Sequence, residues 1–112
     1  MEPLARKKCV PCEGSTPPLN HSKNLEYLKQ INQWELEEDR AIEKTYLFKD
    51  FAAAMKFLNE VARIAEEESH HPDFCLRGWN KVTIRLSTHA VGGLSENDFI
   101  LAAKIDEILP KT

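Results

Sequence analysis

The chain has 112 residues, 42% hydrophobic and 29% charged, which suits one folded domain and excludes disorder throughout. Its 15 Lys plus Arg are outweighed by 18 Asp plus Glu, a net charge of -3, so a polyanion meets net repulsion and direct nucleic-acid binding is not expected. No run approaches the roughly 18 apolar residues of a membrane span, and residues 1–8 lack the apolar segment of a secretory leader. No membrane association and a cytoplasmic location are therefore expected.

Residues 1–20 read as an extended arm, because Pro3, Pro11, Pro17 and Pro18 interrupt every helix that would start there. Cys9 and Cys12 stand two residues apart in this arm; with Cys75 they make three, which closes no disulfide framework. The Cys9 and Cys12 spacing suits a redox pair or half a zinc site, but a redox pair opens a helix after a strand, and this one runs into a Pro-rich stretch. No metal and no cofactor are expected, with a local metal or redox feature as the alternative.

Residues 21–112 form the domain proper. Ser22 is expected to cap a helix through Ile31, with Leu25, Leu28 and Ile31 on one face. From Trp34 the period drops to two, and two short strands, 34–37 and 41–48, read as a hairpin. Asp50 then caps the clearest helix, 51–67, whose apolar face is expected to carry Phe51, Met55, Leu58, Val61, Ala62 and Ala65. His70-His71-Pro72 ends it, since Pro72 restricts its predecessor and cannot extend the hydrogen-bond ladder. A second strand pair, 74–79 and 82–88, follows. Val91-Gly92-Gly93 makes a turn, and Ser95-Glu96-Asn97-Asp98 opens a last helix to about residue 109, with Leu101, Ile105 and Ile108 buried. The order predicts an α+β fold: a four-stranded antiparallel sheet with helices packed on one face, its other face and two edges open to water or to another subunit.

The chemistry-bearing residues lie between 66 and 98. Glu66, Glu67 and Glu68 crowd a helix carboxyl end, where the dipole disfavours anions, a break in local rules that suits either a site or a solvated helix end. His70 and His71 are adjacent, so their side chains diverge; His89 sits at the far end of the last strand, which the antiparallel layout folds back near them. Imidazole both gives and accepts protons near neutrality. Neighbouring histidines are awkward ligands for one metal ion, and no His-x-His or His-x-x-x-His pattern occurs. Trp79 suits a packing role or a wall against a planar ring. Asp98 favours its helix start whether or not it serves a site. Neither GxGxxG nor GxxxxGK[ST] is present, Ser87 and Ser95 stand in no nucleophile elbow, and Cys75 has no evident activating partner.

Glu66, His70-His71-Pro72, Trp79, His89 and Asp98, together with Asn80-Lys81-Val82, Leu86-Ser87-Thr88-His89 and Gly93-Leu94-Ser95-Glu96, resemble the pterin-4a-carbinolamine dehydratase family over about residues 22 to 109. The resemblance implies an enzyme that dehydrates 4a-hydroxytetrahydrobiopterin to quinonoid dihydrobiopterin without metal or organic cofactor, assembled as a homodimer or homotetramer. It implies His70 and His89 as the proton-transfer pair, His71 as a positioning and stabilising group, and Glu66, Trp79 and Asp98 as substrate-binding or orienting residues, with Asp98 expected either to hold His89 or to act on the pocket electrostatically. Animal relatives also bind a homeodomain transcription factor. Nothing in this sequence supports that partner, and a non-catalytic coactivator or protein-binding module on the same fold is the alternative. The Cys9-containing arm is a departure from the compact animal relatives.

Overall fold

The period-two stretches form a four-stranded antiparallel sheet in the computed structural model, which describes residues 3–10 and 16–108. Strands β1 (Glu35–Glu37) and β2 (Ala41–Leu47) make one hairpin, β3 (Asp73–Arg77) and β4 (Lys81–Leu86) a second, in the order β1-β2-β4-β3. The central pair places Ile42 opposite Leu86, Lys44 opposite Ile84 and Tyr46 opposite Val82. Side chains alternate across a strand, so Ile42, Tyr46, Val82, Ile84 and Leu86 share one face, and all are buried.

Three helices accompany the sheet: α1 (His21–Leu28), α2 (Phe51–Glu68) and α3 (Glu96–Asp106). Phe57, Leu58, Val61 and Ile64 of α2 join Phe99, Leu101 and Ile105 of α3 in one core with the sheet face. The α+β fold read from the sequence is the one observed. Two starts are as expected. Asp50 caps α2 by accepting from the Ala53 N–H at 2.8 Å, and Ser95 and Asp98 form a reciprocal capping box at α3.

Other details differ. Asn20 caps α1 in place of Ser22, accepting from the Lys23 N–H at 2.9 Å, and Leu25 is exposed while Tyr27 stacks on Phe99. Leu58, Val61 and Ala65 of α2 are buried as expected, but its buried face is rotated from the expected one and Ala62 is exposed. Phe51 and Met55 are exposed, and Ala54, Phe57 and Ile64 face inward, because Phe57 meets both Tyr46 and Phe48 at ring distances of 4.8 and 5.0 Å. β4 stops at Leu86, short of Thr88.

In the arm, Leu4–Arg6 takes one 3-10 turn where an extended chain was expected, and Leu4 is buried against the core. Cys12 lies outside the described residues. No helix among the described residues is long and apolar enough to cross a membrane.

Candidate active site

The end of α2 sends two neighbouring histidines in opposite directions. Ser69 takes a left-handed conformation (φ +53°), and its N–H and that of His70 both donate to the Ala65 carbonyl, so the chain turns sharply before Pro72. His70 turns inward: its side chain is 12% exposed, and Nε2 lies 2.7 Å from Asp98 Oδ1. His71 turns outward, with Nε2 2.6 Å from Glu66 Oε2 and both side chains mostly exposed. The divergence expected of adjacent residues is what occurs.

Asp98 is fully buried and well partnered. Its Oδ2 accepts from the Thr88 hydroxyl at 2.7 Å and from the Ser95 N–H at 3.0 Å, while Oδ1 faces His70. A carboxylate engaged this way is an acceptor, and the His70 tautomer that suits it carries its hydrogen on Nε2 and leaves Nδ1 as the free acceptor. The partner of Asp98 is thus His70 and not His89, the first of the two roles that the resemblance implied for it. The reason is the short β4: the chain leaves the sheet before His89 and carries Thr88, not His89, over the carboxylate.

His89 is presented by a separate device. Thr88 and Gly93 form an isolated antiparallel bridge, the Thr88 N–H donating to the Gly93 carbonyl at 2.7 Å. The bridge closes a small loop in which His89–Val91 make a 3-10 turn, Gly92 takes φ +72°, and Val91 is the buried anchor. A Cβ on Gly93 would lie 2.9 Å from Pro18 Cβ, so only glycine fits that close approach. The His89 ring is exposed, with no hydrogen-bond partner among the described residues.

His70, His71 and His89 line one cleft of about 530 Å³, a volume that accommodates a small bicyclic molecule. Ser69, Ser87, Thr88 and Asn97 contribute polar lining, and Cys9 and Val10 close one side. Glu66 stands at its margin through His71. Trp79 is not brought to it. Gly78 and Trp79 form the β3–β4 turn with positive φ at both residues, and the length of β3 separates that turn from the histidine end by about 17 Å. A larger groove of about 960 Å³ runs along α2 but contains none of the histidines. The roles of Thr88, Asn97 and the Cys9–Val10 segment had no signal in spacing, since each depends on contacts between distant parts of the chain.

Three imidazoles thus line one cleft, one of them held by a buried carboxylate, and imidazole is a group able to give and accept protons near neutrality. The family model described as Pterin 4 alpha carbinolamine dehydratase matches residues 17–108. A Nitrosomonas eutropha protein bearing the pterin-4-alpha-carbinolamine dehydratase name is 48% identical over 107 residues, covering 95% of this chain and 93% of its own. One of the same name from Alkaliphilus metalliredigens is 44% identical over 108 residues, 96% of each chain. The crystal structure of a transcriptional coactivator/pterin dehydratase from Brucella melitensis matches with a TM-score of 0.75 at 34% identity, covering 80% of this chain and 96% of that one. A pterin dehydratase-like RuBisCO assembly factor of the alpha-carboxysome, at 24% identity and a TM-score of 0.58, covers 69% of this chain and 89% of its own and shares the fold. The chain belongs to the pterin-4-alpha-carbinolamine dehydratase family and is an enzyme of the dehydratase class.

Proposed function

We propose that the protein dehydrates 4a-hydroxytetrahydrobiopterin to quinonoid dihydrobiopterin and water by histidine acid-base catalysis, returning a spent pterin cofactor for reduction. The observation that carries this reading is the 2.7 Å contact of His70 Nε2 with the fully buried Asp98. In the reaction, a base removes the N5 proton, the N5 electron pair forms the C4a=N5 double bond, and the C4a hydroxyl leaves as water after accepting a proton. His70 Nδ1 is the base and protonated His89, exposed and able to exchange protons with solvent, is the acid. For the opposite epimer the two exchange roles, which Asp98 supports because it stabilises His70 as imidazolium equally well. His71, tied to Glu66, orients the ring and stabilises the charge that develops.

The alternative, a non-catalytic coactivator or protein-binding module on the same fold, predicts no acceleration of dehydration. A homodimer or homotetramer in the cytoplasm, acting on a freely diffusing pterin, belongs to the same reading; the β1 and β3 edges, unpaired among the described residues, are consistent with association.

The test is the dehydration rate of freshly generated 4a-hydroxytetrahydropterin above the uncatalysed background. Wild type should accelerate it strongly, and His70→Ala and His89→Ala, each verified as folded, should each lower kcat by about 10²- to 10⁴-fold. Negligible losses in both variants would sink the acid-base assignment.

A further inference from the structure

Residues 3–10 of the amino-terminal arm lie outside the residues matched by the family model, which begin at residue 17, yet they reach the histidine cleft. This described stretch is tied down at several points. Leu4 is buried in the core, Lys104 Nζ donates to the Ala5 carbonyl at 2.8 Å, and Lys7 pairs with Glu96 at 2.7 Å. The Cys9 N–H donates to Glu68 Oε1 at 2.8 Å. At Val10 the tie is double: its N–H donates to Asn97 Oδ1 at 3.0 Å, and Asn97 Nδ2 donates back to its carbonyl at 2.6 Å. Such a reciprocal pair copies one rung of a strand ladder and fixes the backbone of Val10.

The residues that hold the arm are next to those that organise the site. Asn97, itself buried, precedes Asp98, and Glu68 is two residues before His70. Leu4 is held by burying its side chain in the core. Val10 instead remains 64% exposed while lining the cleft. Among the described lining residues the aliphatic side chains are Val10 and Ala90, and Val10 is the larger. A planar heterocycle needs apolar contact as well as polar groups at its edge, and Val10 is the largest wholly aliphatic side chain that the described lining offers for that contact. Burial, and then the nearby Glu68, push the Cys9 thiol up to about 12, so it stays protonated at neutral pH and forms an unreactive part of the same side.

We propose that Val10 is a substrate-contacting residue, the apolar wall of the histidine cleft, and that Asn97 is the positioning residue that holds it there. This rests on the dehydratase reading above. The experiment is steady-state kinetics of the full chain with freshly generated 4a-hydroxytetrahydropterin, for wild type, Val10→Ser, Val10→Ile and Asn97→Ala. Val10→Ser should raise KM about three- to tenfold with kcat within about twofold, the size expected for trimming one apolar contact. Val10→Ile, which keeps the wall apolar, should give a KM near wild type. Asn97→Ala should reproduce the rise in KM, and the pH profile of kcat should keep its shape in every variant because the histidines are untouched. Val10→Ser alters an exposed side chain, so it carries the test even where Asn97→Ala proves unstable. Active wild type with Val10→Ser at unchanged KM overturns the wall and leaves the dehydratase reading standing. Failure of wild type to accelerate dehydration overturns both.

Discussion

The two carboxylate oxygens of Asp98 share their partners unequally, with His70 on Oδ1 and both Thr88 and Ser95 donating to Oδ2. This asymmetry predicts the outcome of Asp98→Asn. The amide that replaces the carboxylate has one acceptor oxygen, and two fixed donors compete for it against one, so that oxygen should settle toward Thr88 and Ser95. The amide NH2 group then faces His70, forces the ring hydrogen onto Nδ1, and removes the base. Asp98→Asn should therefore lower kcat by about 10²- to 10⁴-fold while remaining folded. In a His70→Ala background the same change should cost almost nothing further, because the two residues act as one unit. Independent, multiplying losses in the double variant would show that Asp98 works through something other than His70. At this scale the sequence made His70, His71, His89 and Asp98 legible through their spacing, but not which imidazole meets the carboxylate. That depended on where β4 ends, and a boundary displaced by two residues exchanges Thr88 for His89.

The elements of the site are two turns of different construction, and each rests on a particular backbone requirement. Ser69 turns the end of α2 through a left-handed conformation without glycine, whereas the His89 loop uses Gly92 for positive φ and Gly93 for close approach to Pro18. The last two make separable predictions. Gly92→Ala meets no atom within 4 Å and suffers only from its φ of +72°, a cost of about 1 kcal/mol. Gly93→Ala drives a methyl group to 2.9 Å from a proline ring atom that cannot swing aside, so it should cost about 1–3 kcal/mol. Because Gly93 also closes the bridge to Thr88, its substitution should displace His89 and lower kcat severalfold, which thermal melts and kinetics on the two variants would separate. Equal melting temperatures for both would refute the close-approach argument. Gly92 and Gly93 read from sequence as an undifferentiated turn, and their different duties appear only when Pro18 is placed beside them. The rotated face of α2 has a similar origin. Its period was visible, but several inward directions fit an alanine-rich helix, and the aromatic contacts of Phe57 with Tyr46 and Phe48 select one of them.

Across the whole molecule, the fold divides into a helix-covered sheet face that builds the core and an opposite face whose charges are unevenly placed. Glu35 and Glu43 are register partners on β1 and β2, Glu37 lies beside them, and Arg85 pairs with Glu37 at 3.3 Å. The hydrogen bond between Glu43 and Glu37, then partial desolvation and the charge of Glu37, raise the Glu43 carboxyl above its ordinary range, with Arg85 opposing. A carboxyl raised in the folded state binds its proton more tightly there than in the unfolded chain. Its contribution to stability is thus fully present below the unfolded value near 4.5 and is lost as pH rises through the folded value. Glu43→Gln removes the repulsion and should stabilise the protein at pH 7 by a few tenths of a kcal/mol, the screened worth of facing like charges on a sheet. At about pH 4, where the carboxyl is largely protonated in both states, wild type and variant should melt together. Thermal melts at the two pH values decide the matter: a gain that persists unchanged at the lower pH would assign the effect to packing, and a loss at neutral pH would show that attraction to Arg85 outweighs the repulsion from Glu35 and Glu37.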